Sequence, residues 1–131
     1  MRHTITMKYL GIDFGGKRIG LAVSDEENAF AFPLSVVQNN SGVLEEIIAV
    51  VTKEEVEKVI IGDSKNLDMK NNPIMKDVER FIKGWKEKTH IPIELYTEMF
   101  TSQAAARFAP KDDLHDARAA ALILQGYIDR R

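Results

Sequence analysis

Apolar and polar positions alternate along the first part of the chain and then change period. In residues 8–14, Leu10, Ile12 and Phe14 alternate with Tyr9, Gly11 and Asp13, the period of a strand with two unlike faces. Gly15-Gly16 signals a turn. Residues 18–24 (RIGLAVS) read as a second strand, so 8–24 predicts a β-hairpin. Another turn falls at 25–28. Ala29–Val37 then predicts a third strand in which Pro33 marks a bulge or an edge. From Val43 the spacing turns helical, through Leu44, Ile47, Ile48 and Val51, with Ser41 as the expected N-cap. Val56–Ile61 is a short run rich in β-branched residues, closed by Gly62, and suits a central strand covered on both faces. Residues 63–73 form a polar loop. Ile74, Val78, Phe81, Ile82 and Trp85 share one face of a long amphipathic helix. Ile91–Tyr96 predicts a strand and Thr101–Phe108 a short helix, broken at Ala109-Pro110. The final helix spans 113–129, with Ala117, Ala120, Ala121, Leu124, Tyr127 and Ile128 facing inward.

The expected order is β-β-β-α-β-α-β-α-α, an α/β arrangement with a mixed sheet and helices on both faces. No linker, repeat or low-complexity tract interrupts it. The expectation is one domain over residues 1–131, with 1–7 a loose extension. A length of 131 residues is enough for a real core. Without a cysteine, disulfides and thiolate metal sites are excluded. No apolar run approaches the roughly 20 residues of a membrane span. MRHTITM lacks the apolar core of a signal peptide. The expected compartment is the cytoplasm, with no membrane partner. The net charge of −2 argues against strong non-specific binding to nucleic acid. Lys17, Arg18, Lys65, Lys70 and Lys76 still offer a local basic rim.

Three acids change the picture. Asp13 interrupts the apolar first strand, and burying a bare carboxylate there costs several kcal/mol. A cation or a set of donors must offset that, whether a metal ion or the turn amides of Gly15 and Gly16. Glu98 follows the fifth strand, and ligand sites in α/β sheets gather at the carboxyl ends of strands. Asp116 stands in the first turn of the last helix, where the helix dipole favours an acid. Its spacing to Ala120 and Leu124 puts it on the inward stripe. Asp113, three residues earlier, is an N-cap or a helper ligand. Carboxylates are hard oxygen donors suited to Mg²⁺ or Mn²⁺. Such ions activate water and stabilise the leaving oxygen of a phosphodiester.

The motif GIDFGGKRIGLAVSD (11–25) resembles the opening of the YqgF family, RuvC-like nucleases of the ribonuclease H fold. Three further blocks resemble it in order: Ile60-Ile61-Gly62 with Asn66, Asp68 and Pro73; Glu98, Thr101 and Ala104; and Asp116, Ala119, Ala120, Ile123, Leu124, Gln125 and Tyr127. Together they cover residues 8–129. The resemblance implies a ribonuclease H-like, five-stranded mixed sheet. Strand 2 runs antiparallel to strand 1, and strands 4 and 5 parallel to it. It implies a divalent-metal-dependent nuclease, with Mg²⁺ or Mn²⁺ held by Asp13, Glu98 and Asp116. Asp113 stands where related junction resolvases often carry a further acid. Lys17, Arg18 and Asn66 are the expected nucleic-acid contacts. Members are named as Holliday junction resolvases and as nucleases that mature the 5′ end of the 16S rRNA precursor. The implied partner is therefore an rRNA precursor or branched DNA, met by a monomer or weak homodimer.

The sequence departs from the family pattern in places. Thr97 and Met99 stand where the family carries Asp and Arg around the Glu, Gly62-Asp63-Ser64 replaces Gly-Leu-Pro, and Gly15-Gly16 replaces Gly-Thr. The three candidate ligands are kept. Loss of the Arg leaves open a module that binds nucleic acid or the ribosome without cutting. An ATP-binding domain of the actin and sugar-kinase type also opens with an Asp-x-Gly hairpin, but this chain is too short for the two lobes that clamp a nucleotide.

Overall fold

The computed structural model describes residues 8–62, 73–96 and 114–130. The elements in chain order are β1 (Lys8–Phe14), β2 (Arg18–Ser24), β3 (Ala31–Gln38), α1 (Val43–Glu54), β4 (Val56–Gly62), α2 (Pro73–Lys88), β5 (Ile93–Tyr96) and α3 (His115–Arg130). The strands form one five-stranded sheet in the order β3-β2-β1-β4-β5. β1 pairs antiparallel with β2 and parallel with β4; β2–β3 is antiparallel and β4–β5 parallel. This is the mixed sheet expected from the motifs.

Alternation along the strands sorts side chains onto two faces. Leu10, Ile12, Phe14, Ile19, Leu21, Val59 and Ile61 pack under α1 and α2, against Val43, Ile47, Val51, Val78, Phe81 and Trp85. Trp85 is fully buried and its indole N–H donates to the Ile91 carbonyl at 2.9 Å. On the opposite face Tyr9, Ala22 and Ile60 meet Ala120, Leu124 and Ile128 of α3. β4 is thus buried on both sides, as its unbroken apolar run requires.

Local chemistry moves some boundaries. β3 begins at Ala31, not Ala29, because Asp25 Oδ1 accepts the N–H groups of Ala29 (2.7 Å) and Phe30 (3.1 Å) and holds them in the turn. Asn28 completes that turn in the left-handed region, φ 56°, which Asn tolerates better than most residues. A register shift opposite Leu21/Ala22 skips from Ser35 to Pro33, so Pro33 does sit at a bulge, on an edge strand. The N-cap of α1 is Gly42, not Ser41. Asn40 replaces the expected serine: its carbonyl accepts the Val43 N–H and its side-chain oxygen the Gly42 N–H. α3 buries Ala117, Ala120, Ile123, Leu124 and Ile128. Ala121 and Tyr127, expected inside, are half-buried at the margin, and Ile123 takes a core place instead. The short helix expected at 101–108 and most of the polar loop at 63–73 lie outside the described residues.

Candidate active site

Asp13 stands one residue before the end of β1, half-buried. Its register partners are Gly20 on β2 and Gly62 on β4. Beyond Gly62 the row reaches Tyr96, the last residue of β5. Paired residues in adjacent strands project to the same face. The Asp13 carboxyl therefore rises on the α3 face between two positions that carry no side chain. With strands about 4.8 Å apart, the Tyr96 backbone lies about 10 Å from that of Asp13.

The glycines also seat α3. A methyl group on Gly20 would run into the carbonyl of Asp116 and stand 2.9 Å from the Ala117 nitrogen. On Gly11 it would meet Leu124 Cβ at 2.7 Å and the Ala120 carbonyl at 3.0 Å. On Gly62 it would press into Ile123. The helix backbone thus lies directly on the sheet at its N-terminal turn. Asp116 sits above the residue paired with Asp13, so first strand and last helix bring two carboxylates to one end of the sheet.

A cation already lies at that end. Arg18 opens β2, two residues before Gly20 and hence on the same face. Its Nε–H donates to Asp116 Oδ2 at 3.0 Å, with the two side chains 55% and 27% exposed. Arg18 was expected to meet nucleic acid; here it meets an acid of the candidate site. Lys17 is exposed at the tip of the β1–β2 turn. Asn39 fastens that turn, donating from Nδ2 to the Gly15 carbonyl at 2.8 Å, while its backbone N–H donates to the Lys17 carbonyl at 2.9 Å.

Glu98, Asp113 and Asn66 lie outside the described residues. Among the described residues no three His, Cys, Asp or Glu side chains form a metal-holding group. Of the candidate ligands, the described residues include Asp13 on β1 and Asp116 in the first turn of α3. Both carboxylates are half-buried, and as hard oxygen donors their chemistry fits Mg²⁺ or Mn²⁺.

At its other end α3 is held by a polar cluster. Lys58 Nζ donates to the Tyr127 hydroxyl at 2.6 Å and lies 2.9 Å from Glu94 Oε1; the Tyr127 hydroxyl donates to Glu94 at 3.1 Å. The Tyr127 hydroxyl, and after it Glu94, hold the Lys58 ammonium above its ordinary range. Lys58 in turn keeps the Glu94 carboxyl below the usual value. The Tyr127 ring packs edge-on against Tyr9 and Tyr96, with centroids 5.9 and 5.5 Å apart. Sequence reasoning missed this cluster and the glycine seat. The seat had a visible signal: Gly11 in β1, Gly20 and Ala22 in β2, and Ala117, Ala120 and Ala121 in the helix are small residues at matching periods.

A family model described as "RuvX: Holliday junction resolvase" matches residues 7–130. The chain belongs to the RuvX family. This is the YqgF family whose four blocks the sequence resembles, a nuclease family. RuvX relatives include proteins named "Putative pre-16S rRNA nuclease". The one from Maridesulfovibrio salexigens is 31% identical, covering 95% of this chain and 99% of that protein. The one from Thermoanaerobacter pseudethanolicus is 34% identical, covering 94% and 96%. Among solved structures, RuvC of T. thermophilus in complex with a Holliday junction substrate superposes with a TM-score of 0.59 at 18% identity, covering 95% of each chain. The fowlpox virus Holliday junction resolvase gives 0.58 at 13% identity, covering 95% of this chain and 100% of that one. At those identities the likeness establishes the RuvC-like, ribonuclease H-like fold. Among the described residues no helix is long and apolar enough to cross a membrane.

Proposed function

We propose that this RuvX chain is a divalent-metal-dependent nuclease hydrolysing phosphodiester bonds in structured nucleic acid. Its proposed reaction is 5′-end maturation of the 16S rRNA precursor. The observation that supports the reading is the packing of the Asp116 backbone on Gly20, the residue paired with Asp13 in the sheet. Glu98 is the proposed third ligand and Asp113 a further one; β5 ends two residues before Glu98, in the same row as Asp13. A bound Mg²⁺ or Mn²⁺ supplies an activated water and neutralises charge on the scissile phosphate. Asp13 and Asp116 would offer it their carboxylate oxygens, and Lys17, Arg18 and Asn66 are the proposed contacts to the backbone of the nucleic acid. The printed names of the relatives favour the rRNA precursor as substrate.

The test is cleavage of a 16S rRNA precursor fragment and a four-way DNA junction, side by side, with and without Mn²⁺. Metal-dependent cut at the rRNA 5′ end is expected, and Asp13→Asn lowers it about a hundredfold or more, several kcal/mol of transition-state stabilisation, with the fold intact by circular dichroism. An unaltered rate removes Asp13 from the mechanism. The family description favours a second reading, junction resolution; faster cutting of the junction than of the rRNA would put it first. Binding without cleavage in either metal would favour the non-catalytic module.

A further inference from the structure

The acid brought to Asp13 by α3 is not bare. Arg18 Nε–H lies on Asp116 Oδ2 at 3.0 Å. The guanidinium stems from the strand residue diagonal to Asp13, since Asp13 pairs with Gly20 and Arg18 is two positions away on the same face. One positive charge therefore sits on Asp116, on the same face of the sheet as Asp13. It occupies donor oxygen that a metal-bound enzyme needs, and it is more than half exposed. An exposed ion pair of this kind is weak and can be displaced. A released guanidinium at the rim is suited to grip a phosphate with two parallel N–H bonds.

We propose that Arg18 is a positioning residue that exchanges partners. Without metal it holds Asp116 in place and neutralises it; once a divalent cation takes Asp116, Arg18 turns to a phosphate oxygen of the substrate. The inference rests on the metal-dependent reading above. It predicts a competition. Removing the guanidinium leaves Asp116 open, so the cation binds more tightly, even though nucleic-acid contact is lost.

The experiment titrates the 131-residue chain with Mn²⁺ alone, by calorimetry or by electron paramagnetic resonance of free Mn²⁺. Arg18→Gln should bind Mn²⁺ about two- to fivefold more tightly than wild type, the fold-change expected from losing one exposed ion pair. Arg18→Lys, which keeps the charge, should stay close to wild type. In parallel, the Arg18 Nε–H resonance of the wild type should shift and lose protection from exchange as Mg²⁺ is added. Unchanged or weaker Mn²⁺ binding in Arg18→Gln overturns the inference, as does equal tightening in Arg18→Lys. An Nε–H resonance indifferent to saturating Mg²⁺ overturns it too, and needs no variant to fold. Absence of Mn²⁺ binding in wild type, or binding unaffected by Asp13→Asn, sinks the metal reading itself and the inference with it. A purely structural Arg18 would lower stability and leave Mn²⁺ affinity where it was.

Discussion

A single missing side chain decides where the last helix rests. Gly20 pairs with Asp13 in the sheet and lies under the Asp116 backbone. Backbone cannot yield as a flexible side chain does, so Gly20→Ala must lift the first turn of α3. We expect about 1–3 kcal/mol of destabilisation, read from urea melts followed by the fluorescence of Trp85, the chain's one tryptophan. Cleavage should fall further than stability alone explains, since Asp116 moves with the turn. Gly16→Ala is the control: there an added methyl meets only Ile74 Cδ1 at an ordinary 3.6 Å, and stability should change by less than about 0.5 kcal/mol. Residue by residue, the sequence singled out Asp13 and Asp116 as candidates and was silent about Arg18's partner. An acid inside an apolar strand is anomalous within its own few neighbours. An ion pair spanning 98 positions leaves no trace in local period or composition.

Among the elements, α3 is fastened at two ends by different means. Glycines seat its start; Lys58, Glu94 and Tyr127 clamp its far turns to β4 and β5. The clamp has a pH window. The Glu94 carboxyl lies lower in the folded protein than its ordinary 4.5, so its contribution is present above that value and lost as pH falls through the folded-state one. Lys58 is raised above 10.5, so its contribution is present below that value and lost as pH rises through the folded-state one. Glu94 is 47% exposed at the side chain, so screening limits the pair to about 0.2–1 kcal/mol. Glu94→Gln should cost that much at pH 7 in urea melts, and its difference from wild type should shrink at pH 3. The periods located α1, α2, α3 and the strands well, because amphipathic faces are written in the order of residues. Their ends were less legible. Asp25 shifts the start of β3, and Asn40 the cap of α1, through side-chain hydrogen bonds to backbone that compete with the regular pattern.

For the whole molecule, the sheet divides two cores. Ile60 packs under α3 and Ile61 under α1 and α2, although they are sequence neighbours. Ile60→Val and Ile61→Val should each cost about 0.5–1.5 kcal/mol, and the double variant should equal their sum within about 0.5 kcal/mol, because their side chains share no packing partners. A clear excess would mean the layers communicate through the strand. Strand order was the part of the fold least written in the periods; the antiparallel hairpin followed by β-α-β units limited the choices, and the family motifs implied the strand directions. That order has a consequence for synthesis. β1 is central while α3 is built from the end of the described chain, so a growing polypeptide emerges from the ribosome with the helix that covers one face of its sheet still untranslated. Until residue 116 and the turns after it are made, Tyr9, Ala22 and Ile60 have no cover. A prematurely terminated product should accordingly be prone to stick to whatever apolar surface it meets.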